Sequence, residues 1–372
     1  MVDMRVLMIS KALVAGTSQR KLEEIAKCSG VELTLVTPPY WQSDDGSKQV
    51  LEQLYTNGYH MIITPMKLNG NFHLHYYPQL GKIMREVRPE IVHIDEEPYN
   101  LATFQAMRLA RHHKARALFF TWQNLYRTYP PPFRQFERYN YHYTATALAG
   151  NRDAADILRR KGYQGSIHIL PQFGFDTDIY KRSIPVPARK LDDPFTIGFI
   201  GRLKEEKGLP LIVEALTYLP ANCHAVFVGH GPMKSVLEEQ AIKLGVADRM
   251  LIKSGVPTSE VPHEIEQWDA HVLPSITRPN WIEQFGRTLA EAMSCEVPVI
   301  GSNSGEIPHV IGDAGLVFKE GDARDLSECI RKLMDDPILY QDLAQRGRQR
   351  VLDNYTQERI AQKTYEIYQS LN

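Results

Sequence analysis

The sequence predicts an α/β protein of two doubly wound parallel-sheet domains, and three observations predict it. Short apolar runs alternate with longer amphipathic ones, the signature of βαβ units. That rhythm breaks once, over Phe173–Pro194, and then restarts. At 372 residues the chain is too long for one ordinary core and suits two.

In the first half the strand candidates are Arg5–Ser10, Glu32–Thr37, Met61–Pro65, Ile91–Asp95, Ala117–Thr121, Ala145–Ala149 and Ile167–Pro171. Helical patterns lie between most of them, for example Gln19–Cys28 and Gln79–Val87. Gly, prolines and mixed charge over Phe173–Pro194 read as a linker. The second half offers Phe195–Gly201, Ala225–Gly229, Met250–Lys253, Ala270–Pro274, Val297–Gly301 and Gly315–Phe318 as strands. The amphipathic tail Thr356–Leu371 is expected to pack back across the first domain. The expected boundaries are 1–175, 190–355 and a final helix over 356–372. Doubly wound domains bind ligands at the carboxyl ends of their strands, which predicts a cleft between the two.

Composition narrows the function. With 43% hydrophobic and 23% charged residues and a mean hydropathy of -0.33, the chain reads as a soluble globular protein. It lacks the run of about 18 apolar residues that a membrane span needs. Met1–Ser10 reads as a short strand rather than a secretion signal. Cys28, Cys223, Cys295 and Cys329 are scattered, with no CxxC pair, which fits reduced thiols in a cytosol and not a zinc site or disulfide frame. The net charge of -1 and the lack of a recognised module argue against nucleic acid. The sign is uneven: residues 1–175 carry 21 Lys and Arg against 15 Asp and Glu. A basic half can meet an anionic acceptor or a membrane surface, or be a solvated face.

The second half carries the chemistry. Glu283 and Glu291 stand eight positions apart, and Gly286 between them opens a helix running through Met293. Eight residues of helix span about 12 Å, roughly the reach from a sugar ring to a ribose across a diphosphate. Amides at Gln284, Phe285, Gly286 and Arg287 lie at a helix start, where anions are stabilised. Upstream, the glycine turn Gly201 ends a strand and presents Arg202 and Lys207, a bidentate fork and a point charge suited to a diphosphate.

Together these motifs closely resemble the family 4 retaining glycosyltransferases of the GT-B fold. The resemblance runs through Gly201-Arg202, Lys207-Gly208, Val228-Gly229-His230-Gly231-Pro232, Leu273-Pro274-Ser275, Glu283, Glu291, Ser304-Gly305-Glu306-Ile307-Pro308 and Gly312-Asp313-Ala314-Gly315. It implies transfer of a hexosyl group, with retained configuration, from a nucleotide diphosphate sugar to an acceptor hydroxyl. A UDP-sugar is the first expectation for the donor and GDP-mannose the next. Arg202 and Lys207 would neutralise the leaving diphosphate, Glu283 would hold sugar hydroxyls, and Glu291 the ribose. Gly229, Gly231, Pro232, Gly255 and Val256 would lie near base and ribose. Gly16, in the loop after the first strand, occupies the place of the family's glycine loop, though the usual double glycine is missing. Thr121-Trp122-Gln123-Asn124 stands where the family often has Thr-x-His-Asp, so Gln123 replaces a histidine.

No metal or other cofactor is expected. Asp176-Thr177-Asp178 lies in the linker, and His73-Leu74-His75 has no partner ligands near it in sequence. The acceptor-side candidates are His93, Trp122, Gln123, Asn124 and Tyr126. His93 with Asp95-Glu96-Glu97 either holds an acceptor hydroxyl or caps the next helix. The stretch Phe119–Tyr143 packs ten aromatics around Pro130-Pro131-Pro132 with Arg127, Arg134 and Arg138. It shapes the acceptor site, with peripheral contact to an anionic bilayer, or it packs inward. The expected location is the cytoplasm, peripheral at the inner membrane face. The rival functions are a nucleotide-sugar epimerase or hydrolase on the same scaffold and a non-catalytic sugar-nucleotide-binding subunit.

Overall fold

The computed structural model describes residues 4–43, 46–186 and 189–371. Met1–Asp3 of the opening stretch and Pro187 and Ala188 of the linker lie outside the described residues. The chain divides into two compact units, one of residues 1–174 with 357–372 and one of 175–356.

Unit 1 runs β1 (Met4–Ile9), α1 (Arg20–Ala26), β2 (Val31–Thr37), a hairpin of β3 (Tyr40–Gln42) and β4 (Lys48–Val50), and β5 (His60–Ile63). It continues α2 (Leu80–Val87), β6 (Ile91–Ile94), α3 (Leu101–His112), β7 (Arg116–Thr121), α4 (Phe133–Tyr143), β8 (Thr146–Ala149), α5 (Arg152–Arg160) and β9 (Ser166–Ile169). The sheet order is β5-β2-β1-β6-β7-β8-β9, every pair parallel. Its central strands are apolar nearly throughout because helices cover both faces: β6 is buried at all four positions. The hairpin was not legible as alternation, since each of its strands is only three residues long.

Unit 2 repeats the plan. It comprises β10 (Phe195–Ile200), α6 (Pro210–Leu216), β11 (Cys223–Val228), α7 (Lys234–Lys243), β12 (Met250–Lys253), α8 (Val261–Ile265), β13 (Ala270–Leu273) and α9 (Arg287–Ser294). Then follow β14 (Val299–Ser302), α10 (Ile307–Ile311), β15 (Leu316–Phe318), α11 (Ala323–Asp335) and α12 (Pro337–Asn354). Its order is β12-β11-β10-β13-β14-β15. In both sheets the chain turns outward from the first strand in both directions, the doubly wound arrangement.

The last helix, α13 (Gln357–Leu371), belongs to unit 1. Its Ile360, Ala361, Ile367 and Tyr368 complete the core layer that Leu22 and Ile25 of α1 begin. Among the described residues, no helix is long and apolar enough to cross a membrane.

Candidate functional site

The strand ends of unit 2 gather the residues that the sequence singles out. Gly201 and Gly229 follow β10 and β11 with φ of 144° and 150°. A Cβ on Gly229 would fall 1.9 Å from the Gly201 carbonyl oxygen, so the two turns touch backbone to backbone. Leu203 donates to the His230 carbonyl at 2.8 Å and Met233 to that of Leu203 at 3.0 Å, which locks the two loops together. Gly255 donates to His230 Nε2 at 3.1 Å, bringing Gly255 and Val256 to Gly229, Gly231 and Pro232.

The loop after Gly201 then reaches β13. Gly208, at φ 66°, lies so close to Pro274 that a Cβ would fall 2.0 Å from its carbonyl oxygen. Ile276 donates to the Glu206 carbonyl at 2.9 Å. This contact seats Lys207 beside the second glutamate-bearing segment. Lys207 Nζ donates to Glu283 Oε2 at 2.6 Å, and Ser275 Oγ donates to the same oxygen at 2.8 Å. The Trp281 ring lies 4.9 Å from the ammonium. The carboxylate has one oxygen held twice, and its residue is only 8% exposed. Behind it, Glu306 donates its amide to the Glu283 carbonyl at 3.2 Å.

Helix α9 starts immediately afterwards. Gly286 caps it at φ 79° and, being glycine, offers no side-chain cap to the first-turn amides. Such a start concentrates positive potential. Phe285 is an anchor, stacked on Phe175 with ring centres 6.0 Å apart, while Gln284 is exposed. From the first position of the helix, Arg287 Nε donates to Oε1 of Glu291, one turn on, at 2.8 Å. Burial raises the Glu291 carboxyl above its ordinary range, while Arg287 and the Tyr180 hydroxyl pull it back.

Arg202 differs from Lys207. Its side chain is exposed and has no carboxylate partner among the described residues. Three partnerships escaped the sequence reading: Ser275 and Trp281 with the Lys207–Glu283 pair, and Tyr180 with Arg287–Glu291. Ser275 belongs to the Leu273-Pro274-Ser275 motif, but nothing in sequence links it to Glu283.

Unit 1 changes several expectations. The space beside Gly16 is filled by this chain: Leu54 would meet a Cβ at 2.6 Å and Glu52 at 2.9 Å. Its amide donates to Glu52 Oε2 at 2.8 Å, so a self-supplied carboxylate sits where a phosphate was expected. His93 is 1% exposed, with Nδ1 sharing a 2.6 Å hydrogen bond with the Tyr368 hydroxyl. Burial, reinforced by Lys21, holds its pKa well below the ordinary value. It faces α13 in the interior, which removes it from the acceptor-side set. Gln123 is 9% exposed and accepts from Lys161 at 3.0 Å, while its amide nitrogen donates to the Leu125 carbonyl at 3.1 Å. Asn124 is also buried, and Tyr126 is exposed beneath Arg160 at 4.8 Å. Trp122 is half-buried, its indole donating to Gln172 at 2.9 Å.

The carboxylates after β6 form their own cluster. Glu97 accepts from the Thr121 hydroxyl at 2.6 Å and the Trp122 amide at 2.8 Å. Burial pushes its carboxyl up to about 7 against those bonds. Burial would also raise neighbouring Glu96, but Lys11 and His75 hold it at about 2. Asp176 bonds the Asp178 amide at 3.0 Å in a turn. Among the described residues, no group of three or more His, Cys, Asp or Glu could hold a metal ion.

With this geometry in view, known proteins can be set beside the chain. Residues 181–350 match the family Glycosyl transferases group 1. The chain is 30% identical over 207 residues to the GDP-mannose-dependent alpha-(1-6)-phosphatidylinositol monomannoside mannosyltransferase of Mycolicibacterium smegmatis, covering 52% of this chain and 54% of that one. It is 26% identical over 225 residues to the 2-deoxystreptamine glucosyltransferase of Streptomyces kanamyceticus, covering 57% and 54%. The chain thus spans about half the length of these relatives. Among solved structures it is similar to a glycosyltransferase from Rickettsia africae, with a TM-score of 0.72 at 19% identity over 99% of this chain and 98% of that one. It is also similar to Anabaena HepE in complex with UDP, with a TM-score of 0.69 at 16% identity over 99% and 100%. The fold class is therefore GT-B, two Rossmann-like parallel-sheet units.

Proposed function

We propose that the protein is a retaining, metal-independent glycosyltransferase whose unit 2 binds a nucleotide diphosphate sugar and whose unit 1 takes the acceptor hydroxyl. The observation that carries this reading is the Lys207–Glu283–Ser275 cluster beside the start of α9. It combines a cation, an oriented carboxylate and helix amides within one unit. A sugar diphosphate needs those three: charge neutralisation on the leaving phosphates, an acceptor for sugar hydroxyls, and donors for phosphate oxygens.

In this reading Arg202 and Lys207 stabilise charge accumulating on the departing diphosphate. Glu283 grips hydroxyls of the transferred sugar, and Glu291, oriented by Arg287, grips the ribose. The leaving phosphate oxygen takes the acceptor's proton, so no side-chain base is required, and the glutamine at position 123 is tolerable. Preorganised groups of this kind each contribute about 10²–10³ in rate. The relatives include a GDP-mannose-dependent mannosyltransferase, and a fold neighbour was crystallised with UDP, which supports a nucleotide-sugar donor. We favour a UDP-sugar, with GDP-mannose next. Peripheral contact with an anionic membrane at the cytoplasmic face accompanies this reading.

A thermal-shift screen against UDP, GDP and ADP tests it. A nucleotide at about 100 times its Kd stabilises the fold by about 2.7 kcal/mol, and Lys207→Ala should abolish that shift. If none of the three moves the transition, the donor assignment fails.

A further inference from the structure

Between Ser275 and Glu283 the chain turns back on itself. Arg278-Pro279-Asn280-Trp281 closes a β-turn, with Arg278 donating its amide to the Trp281 carbonyl at 2.8 Å and Trp281 returning one at 3.2 Å. Proline suits the second position of such a turn through its fixed φ, and asparagine suits the third. The turn is clamped at both ends. Ahead of it, the Thr277 hydroxyl donates to Glu320 Oε2 at 2.8 Å and shares a 2.9 Å hydrogen bond with that of Ser304. Arg278 itself pairs with Glu205. Behind it, Gly305 packs so closely that a Cβ there would fall 2.2 Å from the Glu283 carbonyl oxygen and 2.7 Å from the Ile282 side chain.

The clamped turn presents the half-buried Trp281 ring to Lys207, whose Nζ lies 4.9 Å from the ring centre, within cation–π range. The neighbouring cation, Arg278, is spent on Glu205. The Lys207 ammonium is therefore held from two sides by different chemistry. Among the described residues its one hydrogen-bond partner is Glu283, whose Oε2 accepts at 2.6 Å. The indole face attracts the charge without consuming a particular N–H. An ammonium carries three N–H donors, so two remain for phosphate oxygens. Held by Glu283 alone, a lysine on its flexible four-carbon stem would follow that carboxylate whenever it turned to a sugar hydroxyl. The ring is a second anchor that does not depend on where the carboxylate points, and tryptophan is the strongest aromatic side chain in this role.

We propose that Trp281 is a positioning residue for the transfer: its indole face keeps the Lys207 ammonium in place while Glu283 engages the sugar, so that the two remaining N–H donors meet the leaving diphosphate. The inference rests on the donor site proposed above and adds to it a residue that acts through Lys207 rather than on the substrate. It also gives the turn a purpose, since the contacts of Thr277, Arg278 and Gly305 fix the ring that fixes the cation.

Two variants of the full chain test it. Trp281→Leu keeps apolar bulk and removes the π face, whereas Trp281→Phe keeps a weaker face. The first measurement needs no turnover: labelling with acetic anhydride, read by mass spectrometry, with the lysines of unit 1 as internal standard. Lys207 should label several-fold faster in Trp281→Leu than in the native protein, and in Trp281→Phe within about twofold of native. The second is steady-state kinetics with a nucleotide-sugar donor. Trp281→Leu should lower kcat/KM about tenfold, Trp281→Phe should recover most of that loss, and on a Lys207→Ala background the leucine should cost nothing further. Equal labelling of Lys207 in the native and leucine proteins overturns the proposal, as does a kinetic loss that phenylalanine does not rescue or that persists without the lysine. A labelling difference in a native protein that binds no nucleotide would instead overturn the donor reading and leave the hold of Trp281 on Lys207 standing.

Discussion

Lys207 and Glu283 stand 76 positions apart in sequence, yet the ammonium of one donates to Oε2 of the other at 2.6 Å. The pair is a shared device: the lysine orients the carboxylate, and the carboxylate holds the lysine beside the helix start. Removing either leaves the other mispositioned, so their effects should not add. Lys207→Ala and Glu283→Gln are each expected to lower turnover by about 10²–10³. The double variant should fall little further than the worse single one. Steady-state kinetics with a nucleotide-sugar donor measure this, and full additivity would mean that the residues act separately.

Arg202 offers the complementary case. Its side chain is exposed and makes no ion pair among the described residues, so the folded state gains little from it. Arg202→Ala should leave the thermal transition unchanged and still cost about 10² in turnover. Loss of stability without loss of rate would place the guanidinium outside the site.

The backbone crossing of the two glycine turns is a structural requirement. Gly229→Ala adds a Cβ 1.9 Å from a carbonyl oxygen at a φ of 150°, a combination that forces the turns apart. The expected cost is about 2 kcal/mol or more, read from urea unfolding. Nucleotide-induced stabilisation should also fall, because Gly201 and Arg202 move with the turn.

Much of this architecture was legible because buried parallel strands are written as local apolar runs. Phe195–Ile200 announces itself in six residues, as does Cys223–Val228. The glycine turns were legible for a similar reason, since a left-handed backbone leaves its mark on one residue. What failed was long-range. His93 looked like a strand-end candidate, but Tyr368, 275 positions later, claims its ring. Gly16 looked open to a ligand, but Glu52 and Leu54 reach back over it from a segment without strand or helix periodicity. The Lys207–Glu283 pairing belongs with these, since spacing cannot say which carboxylate a lysine meets.

Glu97 makes stability depend on pH in a defined direction. Its carboxyl titrates near 7 in the folded protein and near the ordinary 4.5 when unfolded. Between those values the unfolded chain binds fewer protons. The group's contribution is therefore fully present below about 4.5 and is lost as pH rises through 7, by about 3 kcal/mol. Glutamine at this position keeps both bonds, accepting from the Trp122 amide and donating to the Thr121 hydroxyl. Glu97→Gln should thus match the native protein near pH 4.5 and exceed its stability near pH 8. An unchanged difference between the two across that window, by urea unfolding, would count against the buried carboxyl.

The tie between α13 and unit 1 rests on a buried polar contact as well as on apolar packing. Tyr368 is fully buried and its hydroxyl meets His93 Nδ1. The opposite nitrogen, Nε2, is buried with no hydrogen-bond partner among the described residues. Burial keeps this imidazole neutral, so it depends on the tyrosine for its one hydrogen bond. Tyr368→Phe removes that partner and preserves the ring volume, which isolates the polar contribution from packing. The expected loss is about 1–3 kcal/mol, the cost of stranding a buried polar group. The site in unit 2 lies in a separate compact unit, so nucleotide-induced stabilisation should survive the change. Denaturant unfolding with and without nucleotide separates the two effects. A neutral Tyr368→Phe would show that apolar contacts from Ile360, Ala361 and Ile367 alone hold the helix.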